Sequence, residues 1–179
     1  MIGLNILFII FVLMFAIIGL MRGWAKELLV SFSVILSLFV TMVLEKFVPF
    51  IQNLATTGDT TTLFWVRFVL LLGLVIFGYQ SPNIGRLAES GKFARERLQD
   101  SMLGLFLGAV NGYFVFGSIW YFLDTASYPF DFITPPVAGT AMGDAAIRLI
   151  ESLPPQWLGD PTIYFAVAIA FAFVLVVFI

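Results

Sequence analysis

Long apolar runs alternate with short polar interruptions along the whole chain, and this pattern predicts membrane-spanning helices. Five runs are long enough to cross about 30 Å of hydrocarbon, and they cover residues 2–20, 28–44, 63–79, 101–123 and 162–179. We interpret all five as α-helices, because an apolar segment in lipid must satisfy its own backbone hydrogen bonds. The sequence therefore predicts an all-α integral membrane protein with about five transmembrane helices.

The basic residues between these runs predict the orientation. The second and fourth connections carry only Lys46 and Arg148, whereas the first and third carry six basic residues: Arg22, Lys26, Arg86, Lys92, Arg95 and Arg97. Basic loops stay in the cytoplasm, so we expect the N-terminus outside and the C-terminus inside. The first apolar run has no basic residue ahead of it and is longer than a signal sequence requires, which favours a retained helix.

Two connections contain helical patterns of their own. From Gly91 the third connection is compatible with a solvated loop or with a short basic amphipathic helix on the membrane surface. The fourth, residues 124–161, contains "GDAAIRLIESL" at 143–153, where Ile147, Ile150 and Leu153 share an apolar face. This segment predicts an interfacial amphipathic helix that ends at Pro154, and the same helix could dock another subunit.

Small residues recur at helical spacing within the runs. Gly104, Gly108 and Gly112 form a stripe without side chains in the fourth run, and Ser33, Ser37 and Thr41 form a second stripe in the second run. Such stripes let helix backbones approach closely in lipid. We expect these two stripes to meet, or one of them to receive a partner helix. Gly19, Gly23 and Gly73 are candidates for the same packing role.

Polar residues at the ends of the runs and within them are the remaining candidate sites. Arg22 or Lys26 is expected to pair with Glu27 or Asp100 at the cytoplasmic surface, and Asp100 is also a candidate cap of the fourth helix. Asn111 lies within the fourth run. Its two candidate roles are a structural hydrogen bond between helices and a contact on a substrate path. Arg67 lies in the third run, where it can snorkel or pair with Glu45, Asp59 or Asp124.

Composition limits the kinds of catalytic, metal and cofactor site that the chain can form. Hydrophobic residues make up 61% of the 179 positions and charged residues 11%, with no cysteine and no histidine. This excludes disulfides, thiolate nucleophiles, zinc sites with nitrogen or sulfur ligands and histidine-ligated haem. No phosphate loop, no pair of intramembrane carboxylates and no nucleophile beside a base is present. We therefore expect a protein that is not an enzyme and that binds neither cofactor nor metal.

Two stretches carry a family resemblance. They are "LNILFIIFVLMFAIIGLMRGWAKELL" and "DSMLGLFLGAVNG", separated by one helical hairpin. Over about residues 4–123 the chain resembles the colicin V production family, small polytopic inner-membrane proteins of bacteria. The resemblance implies a bacterial inner-membrane location, a role in the cell envelope and a shared motif set: Arg22, Gly23, Glu27, Asp100, Gly104, Gly108 and Gly112. Where the family often has charges, this chain has Asn5, Ser101 and Asn111.

These observations predict a non-enzymatic membrane scaffold or accessory protein, for example an accessory subunit of a respiratory or photosynthetic electron-transfer assembly. The alternative, which the resemblance implies, is a small export factor or transporter. We expect a four-helix domain over residues 1–123, an outer loop over 124–161 and a fifth helix over 162–179. The expected partners are membrane lipids and other membrane-protein subunits, and not nucleic acid.

Overall fold

Each of the five apolar runs forms a helix in the computed structural model, which describes residues 3–80 and 94–178. The described part contains no strand, and its eight helices are α1 (Leu4–Arg22), α2 (Trp24–Phe47), α3 (Pro49–Thr57), α4 (Thr60–Tyr79), α5 (Ala94–Thr125), α6 (Ala141–Ile150), α7 (Pro154–Trp157) and α8 (Thr162–Phe178). The prediction of an all-α membrane protein is confirmed. Helices α1, α2, α4 and α5 are long and apolar enough to span a bilayer, and α8 is a shorter apolar helix of 17 residues.

A single residue, Gly23, joins α1 to α2. Its φ of 85° lies in the left-handed region, which favours glycine. A side chain there would also come within 2.6 Å of the Asp100 carboxylate. We call this end of the bundle the Gly23 end, and the opposite end, where α3 turns into α4, the Gly58 end. The sequence predicts that the Gly23 end is cytoplasmic.

The start of α5 differs from the prediction. The helix begins at Ala94 and runs for 32 residues, so that it is about 48 Å long. Asp100 therefore lies well inside α5 and does not cap it. Instead its carboxylate accepts a hydrogen bond of 3.1 Å from the amide of Trp24, the first residue of α2. Residues 91–93, where a surface helix was one alternative, lie outside the described residues.

The polar turn at the Gly58 end is well defined. Gly58 ends α3 in the left-handed conformation, and the Asp59 carboxylate accepts a hydrogen bond of 3.0 Å from the amide of Thr62 in the first turn of α4. Hydrogen bonding to Thr62, first to its side chain and then to its amide, lowers the pKa of Asp59 below its ordinary value. The cap is therefore fully formed above that ordinary value and is lost as the pH falls through the lowered pKa.

The glycine stripe of α5 packs against α1. A Cβ atom on Gly19 would collide with the carbonyl oxygen of Gly104 and would lie 2.8 Å from the Cα of Gly108. Likewise, a Cβ on Gly112 would lie 2.9 Å from the Cα of Val12. The two backbones are thus in direct contact, which maximises van der Waals attraction where lipid provides no hydrophobic driving force.

Of the two arrangements expected for this stripe, the structure shows the second: the glycines of α5 receive another helix, α1, and do not meet the stripe of Ser33, Ser37 and Thr41. Ser33 instead packs on α4, where a Cβ on Gly78 would lie 2.8 Å from the Cβ of Ser33. Ser37 and Thr41 are buried in the bundle. The physical reason is that α1 offers its own small residue, Gly19, and so admits a closer approach than the hydroxyl-bearing stripe of α2.

The connection from α5 to α8 folds back onto the bundle. Gly143 and Ala146 of α6 are buried, and Ala146 belongs to an apolar cluster with Phe8, Trp120 and Leu153. Ile147, which was predicted to share an apolar face with Leu153, is 37% exposed. Helix α6 thus lies against α1 and α5 with one face and leaves part of its apolar surface open.

We expect Gly108→Ala to lower the free energy of unfolding by about 1–3 kcal/mol, because overpacking forces the α1 and α5 backbones apart. The added methyl group would collide with the carbonyl oxygen of Phe15. The matched control is Gly73→Ala in α4, where a Cβ meets nothing within 4 Å, and its effect should stay within about 1 kcal/mol. Unfolding in mixed detergent micelles with SDS measures both values. Equal effects of the two substitutions would contradict the close α1–α5 contact.

Candidate functional site

A buried carboxylate lies where four long helices meet at the Gly23 end. Glu27, in the first turn of α2, is 0% exposed. Three donors from three other helices reach its oxygens: Arg22 at the end of α1, Tyr79 at the end of α4 and Asn111 in α5. Removing a carboxylate from water costs several kcal/mol unless hydrogen bonds and an opposite charge replace the lost hydration. The surrounding donors provide that replacement.

Arg22 supplies the opposite charge. Its Nη1 lies 2.8 Å from Oε1 of Glu27, and its Nη2 donates at 3.1 Å to the carbonyl oxygen of Tyr79. The guanidinium carbon also lies 4.2 Å from the centre of the Tyr79 ring. Arg22 thus binds a carboxylate, the negative end of α4 and an aromatic face at the same time. Its planar, multiply donating group suits this role better than a lysine ammonium.

Asn111 binds Glu27 from the opposite side. Its Nδ2 donates at 2.8 Å both to Oε2 and to the backbone carbonyl of Glu27. Its Oδ1 accepts a hydrogen bond of 2.7 Å from the hydroxyl of Ser31, one turn further along α2. Asn111 is 0% exposed and Ser31 6%. Both functional groups of the amide are therefore used to connect α5 to α2.

The Glu27 cluster, which we define as Arg22, Glu27, Ser31, Tyr79 and Asn111, is thus a closed set of mutual contacts. The ion pair between Arg22 and the fully buried Glu27, together with the hydrogen bonds around it, fixes the relative positions of α1, α2, α4 and α5. Within the described part of the chain, no group of three or more acidic residues is placed to hold a metal ion. The chemistry that this arrangement supports is structural recognition between helices.

The Glu27 cluster differs from the sequence prediction in its burial and in its members. Arg22 and Glu27 do pair, but Glu27 is fully buried, whereas an exposed pair at the membrane surface was expected. The reason is the one-residue turn at Gly23, which places the first turn of α2 directly behind α1 and beneath α5. Tyr79 and Ser31 were not predicted. Ser31 follows Glu27 by four residues on the same helix face, a spacing that could have identified it.

A second ion pair lies towards the Gly58 end. Nε of Arg67 lies 2.6 Å from Oε1 of Glu45, and its Nη1 donates at 3.0 Å to the hydroxyl of Thr125. Of the three carboxylates proposed as partners for Arg67, the structure selects Glu45. This contact joins α2, α4 and α5 at a second position along the bundle. An ion pair between an arginine and a glutamate therefore connects helices towards each end.

Comparison with known proteins identifies the family. The sequence profile of the colicin V production protein family matches residues 4–135, about three quarters of the chain. The chain therefore belongs to this family, and the predicted resemblance is confirmed. The match continues past residue 123, where the resemblance was expected to end, into the connection that precedes α6. No curated protein and no solved structure matches the chain.

We expect Glu27→Gln to lower the free energy of unfolding by about 1–3 kcal/mol, because it leaves Arg22 without its charged partner inside the bundle. The matched control is Lys46→Gln, which breaks the Lys46–Asp160 pair, whose side chains are 51% and 52% exposed. Exposed pairs contribute little, so the control should be close to the unsubstituted protein. Unfolding in SDS-containing micelles compares them. A control as damaging as Glu27→Gln would show that burial does not distinguish the two pairs.

Proposed function

We propose that this member of the colicin V production family is a non-enzymatic membrane scaffold or accessory protein that acts through helix packing. The observation that carries the proposal is the Glu27 cluster. Its polar groups are bonded to one another across four helices, and so they are committed to the bundle rather than to a solute. A rigid, internally satisfied bundle is what a protein needs if its function is to present fixed surfaces to other membrane proteins.

An apolar layer separates the Glu27 cluster from the Gly58 end and supports the scaffold over the export alternative. Val34, Leu71 and Val115 are 0%, 0% and 2% exposed and belong to one apolar core. They come from α2, α4 and α5, the same helices that carry the polar residues on either side. A polar solute would have to cross this apolar layer, which is costly without polar partners.

The surfaces available to partners are the outward faces of α1 and α8. Leu13, Ile17 and Met21 on α1 are 58%, 59% and 81% exposed, and Ile169 on α8 is 70% exposed. Such faces contact lipid or the helices of another membrane protein. We propose the second kind of contact for at least one of them. The more specific role in an electron-transfer assembly has no support in the structure or the comparisons and stays a prediction.

A photo-crosslinking phenylalanine placed at Ile17 or at Ile169 tests the proposal in native membranes. We expect a protein adduct from at least one of these positions, and stoichiometric co-migration of the partner on native gels after mild-detergent purification. Mass spectrometry then identifies the partner. The matched control is the same replacement at Val34, a fully buried position, which should give adducts only within the chain. A chain that migrates alone and forms only lipid adducts would reject the scaffold role and favour the export alternative.

We further propose that the Gly23 end faces the cytoplasm and the Gly58 end the outside. The support is the unequal distribution of basic residues between the connections at the two ends, because short basic loops resist translocation. In this orientation the N-terminus lies outside, and α1, α2, α4 and α5 cross the membrane four times. The connection after α5 then lies outside as well, and α8 returns the chain to the cytoplasm.

Single cysteines test this orientation, because the chain has none of its own. Thr57→Cys at the end of α3 and Gln99→Cys in α5 each introduce one thiol at an exposed position. A membrane-impermeant maleimide added to intact cells should label the first variant and not the second, and permeabilised cells should label both. The reverse labelling pattern in intact cells would invert the proposed topology.

A further inference from the structure

The connection between α5 and α8 descends along the side of α1. Helix α1 has 19 residues, a length of about 28 Å, and every exposed side chain among residues 6–21 is apolar. Its length therefore marks the hydrocarbon layer. Met142, at the start of α6, lies level with Gly3, where a Cβ would come within 3.0 Å of its sulfur. Ala146, one turn further on, packs in a cluster with Phe8, so α6 enters this layer from the Gly58 end.

The turn after α6 lies inside the same layer. The hydroxyl of Tyr113 donates to the carbonyl oxygen of Ser152 and accepts a hydrogen bond of 3.1 Å from Nε1 of Trp157. The Tyr113 ring lies 6.2 Å from the ring of Phe8, which is about 6 Å inside the start of α1. Irregular backbone at this depth must be bonded within the protein, and Tyr113 supplies such a bond.

Residues 141–157 thus form a re-entrant segment, and the chain returns to the Gly58 end where Asp160 pairs with Lys46. This segment exposes charged side chains at the depth of the hydrocarbon. Arg148 and Glu151 are both exposed, lie on one face of α6 three residues apart, and take part in none of the ion pairs of the described residues. An arginine can extend towards the membrane surface, but the shorter glutamate cannot. Because a charge that faces hydrocarbon is costly, this face requires a polar partner.

We propose that this face of α6, which we call the Arg148–Glu151 face, binds the same face of a second copy of the chain. Two copies in one membrane have the same orientation, and a twofold axis perpendicular to the membrane places their α6 helices side by side at equal depth. Arg148 of each copy then pairs with the partner's Glu151. Ile147 and Trp157, which are 37% and 46% exposed, provide apolar contact beside the two ion pairs.

The charges on this face favour a second copy over a partner of a single charge sign. An acidic partner would leave Glu151 unpaired, and a basic partner would leave Arg148 unpaired, whereas an identical face pairs both. In a twofold contact each residue meets the other type on the opposite copy, which a face with one positive and one negative charge satisfies. This dimer does not depend on the proposed scaffold role, because it forms whether or not a third protein binds.

Energy transfer between copies of the full-length chain in lipid vesicles tests the proposal, with donor and acceptor dyes attached through Thr57→Cys. Transfer should rise with the protein-to-lipid ratio and saturate. Arg148→Glu alone and Glu151→Arg alone should each raise the dissociation constant about tenfold or more, because like charges then face each other. A mixture of donor-labelled Arg148→Glu and acceptor-labelled Glu151→Arg should restore it to within about threefold, because opposite charges face each other again.

The matched control is Lys46→Glu, a charge reversal at a side chain that is 51% exposed and lies outside the re-entrant segment. Its dissociation constant should not change. The proposal is overturned if the unsubstituted chain shows no saturable transfer, or if Lys46→Glu weakens the dimer as much as the two α6 variants do. It is also overturned if the mixed sample transfers no better than either variant alone, an outcome that would assign this face to a different partner.

Discussion

The carboxylate of Glu27 is the constraint on which the arrangement of the bundle depends. A fully buried charge must receive donors from its surroundings or leave the apolar interior, and here the donors come from Arg22, Tyr79 and Asn111. These residues lie on α1, α4 and α5. The position of a single side chain on α2 therefore fixes how far along the bundle each of three other helices lies. Hydrophobic packing alone could not do this, because lipid tails satisfy apolar side chains equally well.

This polar cluster and the glycine contacts depend on each other. Arg22 reaches Glu27 because Gly23 reverses the chain in one residue, and Asp100 occupies the space that a side chain at Gly23 would need. The same carboxylate accepts from the amide of Trp24, which places a negative charge at the N-terminus of α2, where the helix dipole favours it. Close approach of α5 to α1 at Gly19 and Gly108 brings Asp100 to that position. The close glycine contact between α1 and α5 therefore places the charged groups of Arg22 and Asp100 next to their partners.

The sequence was sufficient for the fold class, the positions of the apolar helices and the family, because long apolar runs have few alternatives in lipid. Helix boundaries at the Gly23 end were not predictable in the same way. Asp100 has the appearance of a helix cap, and only the tertiary structure shows that it serves α2 rather than its own helix. Periodicity identifies the stripe of Gly108 and its neighbours, but it cannot identify the partner helix, since α1 and α2 both offer small residues. The burial of Glu27 depends on all of these contacts together and was therefore missed.

The two ends of the bundle use similar residues with opposite results. At the Gly23 end, the hydroxyl and amide groups of Ser31 and Asn111 satisfy one another and Glu27. Towards the Gly58 end, Thr41 on the same helix is buried and has no hydrogen-bond partner among the described residues, although Glu45 lies one turn away. An unsatisfied hydroxyl destabilises a folded protein, and it is tolerated where other contacts hold the helices in place. The closed cluster at the Gly23 end provides that stability for the bundle as a whole.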